Sequence, residues 1–290
     1  MNNPGKRALY TRQLAHGILE CQLCPHHCQL AIGQTGHCRC RCNEEGRLIV
    51  LNAGQCTAAA LDPIEKKPLY HFHPGSLILS LGSWGCNFHC SFCQNWTISQ
   101  QPASWQPMTP QQAADLAVQY QSQGNIGLAY TYNEPIMSYE FVLETARLVK
   151  QAGLYNVMVT NGYIEEAPLD ALLPYIDAWN IDIKAFSNTF YQKVCGGTLA
   201  PVLRTVRQAS ACSHVEVTTL IIPGYNDSLD DMEKEARWLA AVNPSIVLHL
   251  TRYFPQYKLS LPMTPRTSLE QLQKKARHYL SHVYIGNVEL

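Results

Sequence analysis

The sequence predicts an α/β protein built on a parallel sheet, because strand and helix signals alternate six times from residue 77 onward. Units of this kind either curve into a barrel or lie flat with helices on both faces, and spacing alone does not decide between the two. The composition agrees with a folded chain, since 46% of the 290 residues are hydrophobic and only 15% are charged. Ten of the twelve cysteines lie before residue 94, which sets a small cysteine-rich segment, residues 1–75, apart from the α/β domain, residues 76–290.

Each predicted strand is a short apolar stretch bounded by turn residues, and the six strands cover residues 77–81, 126–131, 155–160, 178–183, 214–221 and 246–250. Helix start signals stand at Thr109-Pro110, an N-cap followed by proline at the first helical position, and at Ser228. Gly124 and Gly153 are helix stop signals. The helices are predicted over residues 110–124, 136–152, 168–175, 198–211, 229–241 and 268–281.

Charge and hydropathy argue against several classes of protein. Lys plus Arg and Asp plus Glu are equal at 22 each, whereas a dedicated nucleic-acid-binding protein carries a basic excess. No window holds the ~20 apolar residues of a transmembrane helix, and the amino terminus lacks the apolar stretch of a signal peptide. We therefore expect a cytoplasmic protein with no membrane partner. In that reducing compartment, clustered cysteines indicate metal or redox chemistry more often than disulfides.

Unusual polar residues follow the predicted strands one after another. Strand by strand they are three cysteines, then Asn133-Glu134, then Asn161, then Asp182 and Lys184. Because the carboxyl ends of parallel strands share one edge of a sheet, these residues are expected to converge there. This convergence predicts an enzyme.

Cys86, Cys90 and Cys93 form a CxxxCxxC pattern in the loop after the first predicted strand. Three thiolates this close together are able to hold three corners of an iron–sulfur cluster, whereas a mononuclear zinc site would want a fourth ligand. A cubane cluster with three protein ligands keeps one iron open to a small molecule. The pattern therefore favours a reactive cluster. A zinc site completed by a distant residue, or three buried thiols, are the alternatives.

With an aromatic residue, Phe92, before its last cysteine, this loop resembles that of the radical S-adenosylmethionine (SAM) superfamily. The resemblance implies a [4Fe–4S] cluster on Cys86, Cys90 and Cys93, with SAM bound beside it and near Phe92. It also implies that the cluster passes one electron to SAM, which yields methionine and a 5′-deoxyadenosyl radical that abstracts hydrogen from a substrate. A low-potential electron donor of flavodoxin or ferredoxin type is then required.

Three further motifs resemble the glycyl-radical-enzyme activating enzymes. TYNEP occupies the place of their SGGEP stretch, which implies that Glu134 and the neighbouring Asn133 bind the amino group of SAM. VTNGY resembles their TNG segment and places Asn161 at the SAM site. NIDIKAF resembles their DLK motif, which implies Lys184 near the SAM carboxylate with Asp182 orienting it. An ordinary ion pair for the last two residues, and a helix N-terminal carboxylate for Glu134, are the alternatives.

A narrower resemblance rests on the stretches CQLCPHHC, GQTGHC, DPIEKKPLYHFHPG, GCNFHCSFCQNW and HVYIGNV. Together they are similar to the AmmeMemoRadiSam-type radical SAM proteins, relatives of pyruvate formate-lyase activating enzyme. This implies a partial (β/α)6 barrel with the cluster at its open carboxyl face, and AMMECR-like and MEMO-like proteins as partners. Activating enzymes carry a histidine after the sixth strand, where this chain has Tyr257 and Lys258, so His249 is the nearest candidate for a role near the adenosyl group.

A second metal site is predicted in the amino-terminal segment, on Cys21, Cys24, Cys28 and Cys38. Four thiolates among turn residues suit tetrahedral Zn²⁺ or an auxiliary iron–sulfur cluster, and we favour zinc because no redox step here requires another cluster. A segment of about 60 residues with little apolar periodicity buries too little surface to fold well, so a structural metal would stabilise it. The stretch 62–75 is expected to link this segment to the first strand.

Three functions stay open at this point. The first is hydrogen abstraction from a protein, as in glycyl-radical activation, and the second is radical modification of a small molecule or nucleotide. The third is a non-enzymatic metal-binding or electron-transfer module. Glu134, Asp182 and Lys184 argue against the third, because an electron carrier has no use for them.

Overall fold

Short antiparallel strands form the first part of the chain. The computed structural model describes residues 5–101 and 103–288. Before residue 57 the strands are β1 (Lys6–Arg7), β2 (Thr11–Gln13), β3 (Leu19–Cys21), β4 (Gln29–Leu30), β5 (Arg41–Glu44), β6 (Arg47–Val50) and β7 (Gln55–Cys56). Six of them form two three-stranded sheets, in the orders β2-β3-β4 and β1-β6-β5. Their buried residues belong to the same apolar cluster as most of the remaining protein, so the segment packs against the larger domain.

One eight-stranded sheet organises the rest of the protein. The remaining strands are β8 (Ala58–Pro63), β9 (Leu77–Gly82), β10 (Gln106–Pro107), β11 (Asn125–Tyr130), β12 (Tyr155–Thr160), β13 (Ala178–Asp182), β14 (His214–Ile221), β15 (Val247–Arg252) and β16 (Val283–Gly286). β10 pairs with β7, and the others form the sheet in the order β8-β9-β11-β12-β13-β14-β15-β16. β8 runs antiparallel to β9, and all other neighbours in the sheet are parallel.

The order of the parallel strands follows the chain, and this settles the shape that the sequence left open. A doubly wound sheet reverses its strand order part-way and carries helices on both faces. Here each right-handed crossover steps to the next strand in the same direction, so the helices cover one face and the other face is the concave inside of a partial barrel. The helices are α1 (Trp96–Ser99), α2 (Pro110–Gln119), α3 (Tyr139–Gln151), α4 (Glu166–Leu172), α5 (Asn188–Phe190), α6 (Leu199–Ser210), α7 (Leu229–Val242) and α8 (Arg266–Ala276).

The six predicted strands are confirmed, with ends that differ by no more than two residues. The two edge strands of the large sheet, β8 and β16, were not predicted, because short stretches without clear turn signals carry little periodicity. The start of α2 agrees in detail: Thr109 Oγ1 accepts from Gln112 N at 3.1 Å, and Thr109 N donates to the Gln112 side chain at 2.8 Å. The α-helix ends earlier than predicted and continues as a 3-10 turn to Gly124, whose φ is +88°.

Apolar side chains and one connecting segment fill the inside of the barrel. Ile64 and Leu69, both from the stretch 62–75, are 0% exposed. They cluster with one buried residue from each of β9, β11, β12 and β13, namely Ile78, Ala129, Val157 and Ala178. The sequence predicts only a link between the amino-terminal segment and the first predicted strand, β9, here. The structure shows that the link also supplies apolar side chains that close the inside of the barrel.

A buried carboxylate fastens this connecting segment to the sheet. Glu216, on β14, is 0% exposed and accepts backbone N–H bonds from Tyr70 at 3.0 Å and His71 at 2.7 Å. Ring nitrogens of His214 and His249 lie 2.9 and 2.6 Å from the same carboxylate. Burial by itself would raise the pKa of Glu216, but these four partners outweigh it and lower the pKa to about 2. The carboxylate is therefore ionised at neutral pH and holds four groups at once.

The amino-terminal segment and the barrel share structure across the predicted boundary. β8 lies within residues 1–75 and yet adds an edge strand to the large sheet, so that sheet begins at Ala58. The buried side chain of Arg41 pairs with Glu140 on α3, with Nη2 and Oε2 2.8 Å apart. The division into residues 1–75 and 76–290 stays a prediction.

Over the ranges that the structure describes, every helix is too short or too polar to cross a membrane.

Replacing Glu216 with glutamine should lower the melting temperature at neutral pH. A carboxyl group whose folded pKa is depressed stabilises the fold above its unfolded pKa of about 4.3, and loses that effect as the pH falls toward its folded value. The lowering of the Glu216 pKa from its unfolded value to about 2 corresponds to roughly 3 kcal/mol of folding free energy. We expect the difference between E216Q and the wild type to narrow as the pH falls from about 5 toward 2. Thermal unfolding followed by circular dichroism measures this, and a difference independent of pH would contradict an ionic role.

Candidate active site

Loops that follow four neighbouring strands meet at the carboxyl edge of the barrel. The three-cysteine loop follows β9, TYNEP follows β11, Asn161 follows β12, and Asp182 ends β13. Two hydrogen bonds from Asn161 join the first three: its Nδ2 donates to Asn87 Oδ1 at 2.8 Å, and its backbone N–H donates to Glu134 Oε2 at 2.8 Å. The structure thus brings together residues that the sequence analysis placed at one edge.

The three cysteines lie in a largely buried loop. Phe88 N–H donates to Cys86 Sγ at 3.3 Å, and Asn161 Nδ2 lies 3.6 Å from the same sulfur. Burial, the Glu134 carboxylate and the two other sulfurs raise the pKa of the Cys86 thiol well above its ordinary value. Without a metal these thiols are neutral at pH 7. Binding as thiolates therefore needs a cation, such as iron, that compensates their charge.

Glu134 is a buried carboxylate with no cation partner among the described residues. It is 3% exposed, and its oxygens accept hydrogen bonds from Thr160 Oγ1 at 2.6 Å, Asn161 N at 2.8 Å and Ile136 N at 3.3 Å. Burial raises its pKa to about 7, although these donors act in the opposite direction. A buried carboxylate whose partners are all neutral donors is stabilised by a positively charged ligand, and the ammonium group of SAM is such a ligand.

Asn133 and Phe92, both predicted to contact SAM, make contacts within the protein. Asn133 Oδ1 accepts from Ser83 N at 2.9 Å, and its Nδ2 donates to Gly85 O at 3.1 Å. Both partners belong to the stretch just before Cys86, so Asn133 ties TYNEP to the three-cysteine loop. Phe92 is 4% exposed, and its ring centroid lies 6.0 Å from that of Phe190. Their contacts with SAM stay predictions.

Asp182 and Lys184 form an ion pair that points toward the cysteines. Lys184 Nζ lies 2.5 Å from Asp182 Oδ2, and both side chains are partly exposed. Burial would lower the pKa of Lys184, but the Asp182 carboxylate and the neighbouring Cys90 sulfur outweigh it and raise that pKa. The positive charge in turn lowers the pKa of Cys90 and Cys93, against larger effects that raise it. The pair thus presents a cation to this side of the site.

Tyr132 resolves how TYNEP does without the glycines of SGGEP. Tyr132, and not Asn133, takes the left-handed conformation, with φ at +72°. Its hydroxyl donates to Asp62 Oδ2 at 2.8 Å, and Lys67 Nζ lies 4.8 Å from the centre of its ring. Lys67 also pairs with Asp62 at 2.9 Å. The sequence analysis did not predict the contacts among Tyr132, Asp62 and Lys67. The cluster of charged residues in the stretch 62–75 was the feature that could have indicated them.

Cys195 adds a fourth thiol beside the three-cysteine loop. It is 0% exposed, and its carbonyl oxygen accepts a hydrogen bond from His89 N at 2.8 Å. The neighbouring Cys195 side chain, together with burial, raises the pKa of the Cys90 thiol well above its ordinary value. The sequence analysis did not place Cys195 here, because more than one hundred residues separate it from Cys93. Only the fold of the segment around α5 brings it close.

The loop after β15 contacts the three-cysteine loop, but His249 does not. The rings of Tyr257 and Trp96 stack with centroids 5.2 Å apart, and Lys258 N donates to Ser91 O at 2.9 Å. His249 lies mid-strand on β15, where its Nε2 bonds to Glu216 and its ring packs 4.6 Å from Tyr70. The side chain therefore faces the connecting segment inside the barrel. The adenosyl role of His249 stays a prediction.

Comparison with known proteins agrees with this geometry. The family model described as the radical SAM superfamily matches residues 83–239, which is more than half of the chain. The chain belongs to the radical SAM superfamily. An uncharacterized protein of Methanocaldococcus jannaschii is 42% identical to it over 290 residues, which cover 98% of this chain and 85% of that protein.

Two further relatives extend the comparison. The pyruvate formate-lyase 1-activating enzyme of Escherichia coli K12 is 23% identical over 159 residues, which cover 52% of this chain and 63% of that enzyme. The crystal structure of Streptococcus suis SuiB bound to S-adenosylmethionine superposes with a TM-score of 0.57 at 10% identity, over 69% of this chain and 47% of that chain. At this identity the structural likeness shows the fold alone. This radical SAM enzyme thus has activating enzymes among its relatives.

The site suits the two cofactors of the radical SAM family, a [4Fe–4S] cluster and SAM. Three neighbouring thiols stand in one loop, which matches a cluster that keeps one iron open. The buried Glu134 carboxylate has no cation in the described protein, and Lys184 presents an ammonium group nearby. These are the charges that the amino and carboxylate groups of an amino-acid ligand require.

The strain at Tyr132 can be tested with three variants. Tyr132→Gly should be more stable than Tyr132→Ala by about 1 kcal/mol, because glycine adopts positive φ freely and alanine does not. Tyr132→Phe keeps the ring over Lys67 and loses only the bond to Asp62, so it should be the most stable of the three. Urea unfolding under identical conditions measures the order. Equal stability of the glycine and alanine variants would contradict strain at this position.

The place of Cys195 beside the loop leads to a second prediction. Cys195→Ser should retain about four irons per chain after anaerobic reconstitution, whereas Cys90→Ser should lose them, because three ligands suffice for a cluster with an open iron. Iron analysis and the visible absorption of the cluster measure this. Loss of iron from C195S to the same extent as from C90S would mean four protein ligands and no open iron.

Proposed function

We propose that this protein cleaves SAM reductively and uses the resulting 5′-deoxyadenosyl radical to abstract a hydrogen atom from a protein, as glycyl-radical activating enzymes do. One observation carries the proposal. The three-cysteine loop meets the buried carboxylate of Glu134, which lacks a cation partner among the described residues, and the Asp182–Lys184 pair at the carboxyl edge of the barrel. An electron-transfer module would need the cysteines alone.

The residues of the chain divide the binding of SAM between them. Glu134 binds the ammonium group of SAM. Hydrogen bonds from Thr160 and Asn161 hold the two carboxylate oxygens of Glu134 in place. Lys184 binds the carboxylate of SAM, and Asp182 orients Lys184 through the 2.5 Å contact. A [4Fe–4S] cluster bound at the three cysteines supplies the single electron that splits a carbon–sulfur bond of SAM. The hydrophobic surroundings of the loop, including Phe92, keep water away from this reaction.

The relatives support a protein as the substrate. The E. coli relative is named for activating pyruvate formate-lyase, and it shares about half of this chain at 23% identity. An electron donor of flavodoxin or ferredoxin type follows from the same relationship, because the cluster must be reduced at low potential. AMMECR-like and MEMO-like partner proteins stay predictions from the narrower family resemblance.

Glu134→Gln should raise the KM for SAM at least about tenfold, because it removes the charge that binds the ammonium group. Glu235 offers a matched control: it is also a buried carboxyl, with a pKa raised to about 8 and a 2.5 Å bond from Thr219, but it lies on α7 outside the site. Glu235→Gln should leave the KM near the wild-type value. The measurement is release of 5′-deoxyadenosine from SAM with dithionite under anaerobic conditions.

Two results would contradict the proposal. If the wild type releases no 5′-deoxyadenosine while its cluster is intact, the enzyme does not cleave SAM. If cleavage occurs, candidate proteins and small molecules labelled with deuterium are compared by the mass of the 5′-deoxyadenosine formed. Transfer of deuterium from a small molecule, and not from any protein, would show that the enzyme modifies a small molecule and would contradict a protein substrate.

A further inference from the structure

Four cysteines of the amino-terminal segment line a single small cavity. Cys21 ends β3, Cys24 and Cys28 lie in the turn between β3 and β4, and Cys38 precedes β5. The cavity between them measures about 10 Å³, room for one water-sized atom. Cys21 N–H donates to Cys28 O at 3.0 Å, which closes the turn, and His37 N–H donates to Cys28 Sγ at 3.5 Å. A backbone N–H directed at sulfur is the environment of a metal-bound thiolate.

The buried side chain of Arg41 lines the same cavity. Arg41 is 1% exposed, and its Nη2 is used by Glu140, at 3.0 and 2.8 Å from the two carboxylate oxygens. Its Nε and Nη1 are buried and have no hydrogen-bond partner in the part of the chain that the structure describes. Leaving buried donors of a charged group without hydrogen-bond partners destabilises the fold. An anionic acceptor inside the cavity would remove that cost.

Neutral thiols do not meet this requirement, since a thiol is a weak acceptor. Four thiolates around one Zn²⁺ carry two net negative charges and accept hydrogen bonds at sulfur, so they match both the free Arg41 donors and the His37 N–H. The cavity has room for one ion and not for a cubane. No three His, Cys, Asp or Glu side chains in residues 5–101 and 103–288 already stand in single-ion geometry, so the thiols must rotate toward the cavity to bind.

The cavity lies next to the three-cysteine loop. His26 and His37 flank two of its cysteines in sequence and line its wall, and their rings are 4.2 Å apart. The His37 ring in turn contacts the His89 ring, with centroids 4.0 Å apart, and His89 precedes Cys90. His26 Nε2 lies 2.8 Å from the carbonyl oxygen of Asn87. An ion that orders residues 21–38 would therefore also hold Asn87 and His89 of the three-cysteine loop in position.

We propose that Cys21, Cys24, Cys28 and Cys38 bind one structural Zn²⁺ as thiolates, that Arg41 neutralises part of the charge, and that the ion supports the three-cysteine loop through the contacting rings of His26, His37 and His89. The test of this site is metal content, which is measured separately from SAM cleavage.

The experiment compares zinc and iron per chain in the full-length protein, purified and reconstituted anaerobically. The wild type should hold about one zinc in addition to the iron of the cluster. Cys24→Ser and Cys38→Ser should lose zinc at least about fivefold, because three thiolates bind zinc much more weakly than four. Cys56→Ser, a cysteine outside the cavity, is the matched control and should keep it. The triple variant C86A/C90A/C93A should lose iron and keep zinc, which separates this site from the proposed function.

Measurements on the wild type and on Arg41 keep the test decisive if the cysteine variants do not fold. Wild-type protein loaded with Co²⁺ in place of zinc should show the visible bands of tetrahedral thiolate coordination. Arg41→Lys, which keeps the charge beside Glu140 but loses the free donors, should release zinc to a chelator about tenfold faster than the wild type and than Arg39→Lys. Folded wild type that binds neither zinc nor cobalt, or that holds about eight irons and no zinc, would overturn the proposal.

Discussion

The buried carboxylate of Glu134 connects the parts of the site. Its oxygens are held by the side chain of Thr160 and the N–H of Asn161 at the end of β12, and Asn161 reaches on to Asn87 in the three-cysteine loop. A charge buried with only neutral donors around it is stabilised when a cation joins it. The same network that holds the cysteines in place therefore also creates the demand for a positively charged ligand beside them.

The amino-terminal segment is built into the barrel by polar contacts that are costly to break. Arg41 pairs with Glu140 of α3 where both side chains are almost fully buried, and loss of one partner of such a pair typically costs about 3–5 kcal/mol. The connecting stretch 62–75 is held from the other side by Glu216, and it supplies the Asp62 and Lys67 that anchor Tyr132. The strained backbone at Tyr132 in the TYNEP segment thus depends on a stretch far from it in sequence.

Local pattern accounts for what could be predicted. The strand β9 and the strands β11 to β15 follow from apolar runs and turn residues, and the cysteines, Glu134, Asp182 and Lys184 follow from motifs at the strand ends. Contacts between distant residues escaped prediction. Cys195 beside Cys90, and the bond between Tyr132 and Asp62, depend on how separate segments pack. The surroundings of His249 likewise depend on packing: the sequence analysis chose it as the histidine nearest the loop after the sixth strand, and in the structure its side chain contacts Glu216.

By itself the sequence determined the alternation of strands and helices and the chemistry of the site, because periodicity, turn residues and cysteine spacing act over a few residues. Tertiary structure alone decided that the sheet curves, since only the pairing order shows that each crossover steps the same way. It also decided that Tyr132 takes a left-handed backbone conformation, that two buried donors of Arg41 have no partner within residues 5–101 and 103–288, and that three histidines join the two cysteine groups. Burial and hydrogen-bond partners are properties of the packed chain, so no stretch of sequence contains them.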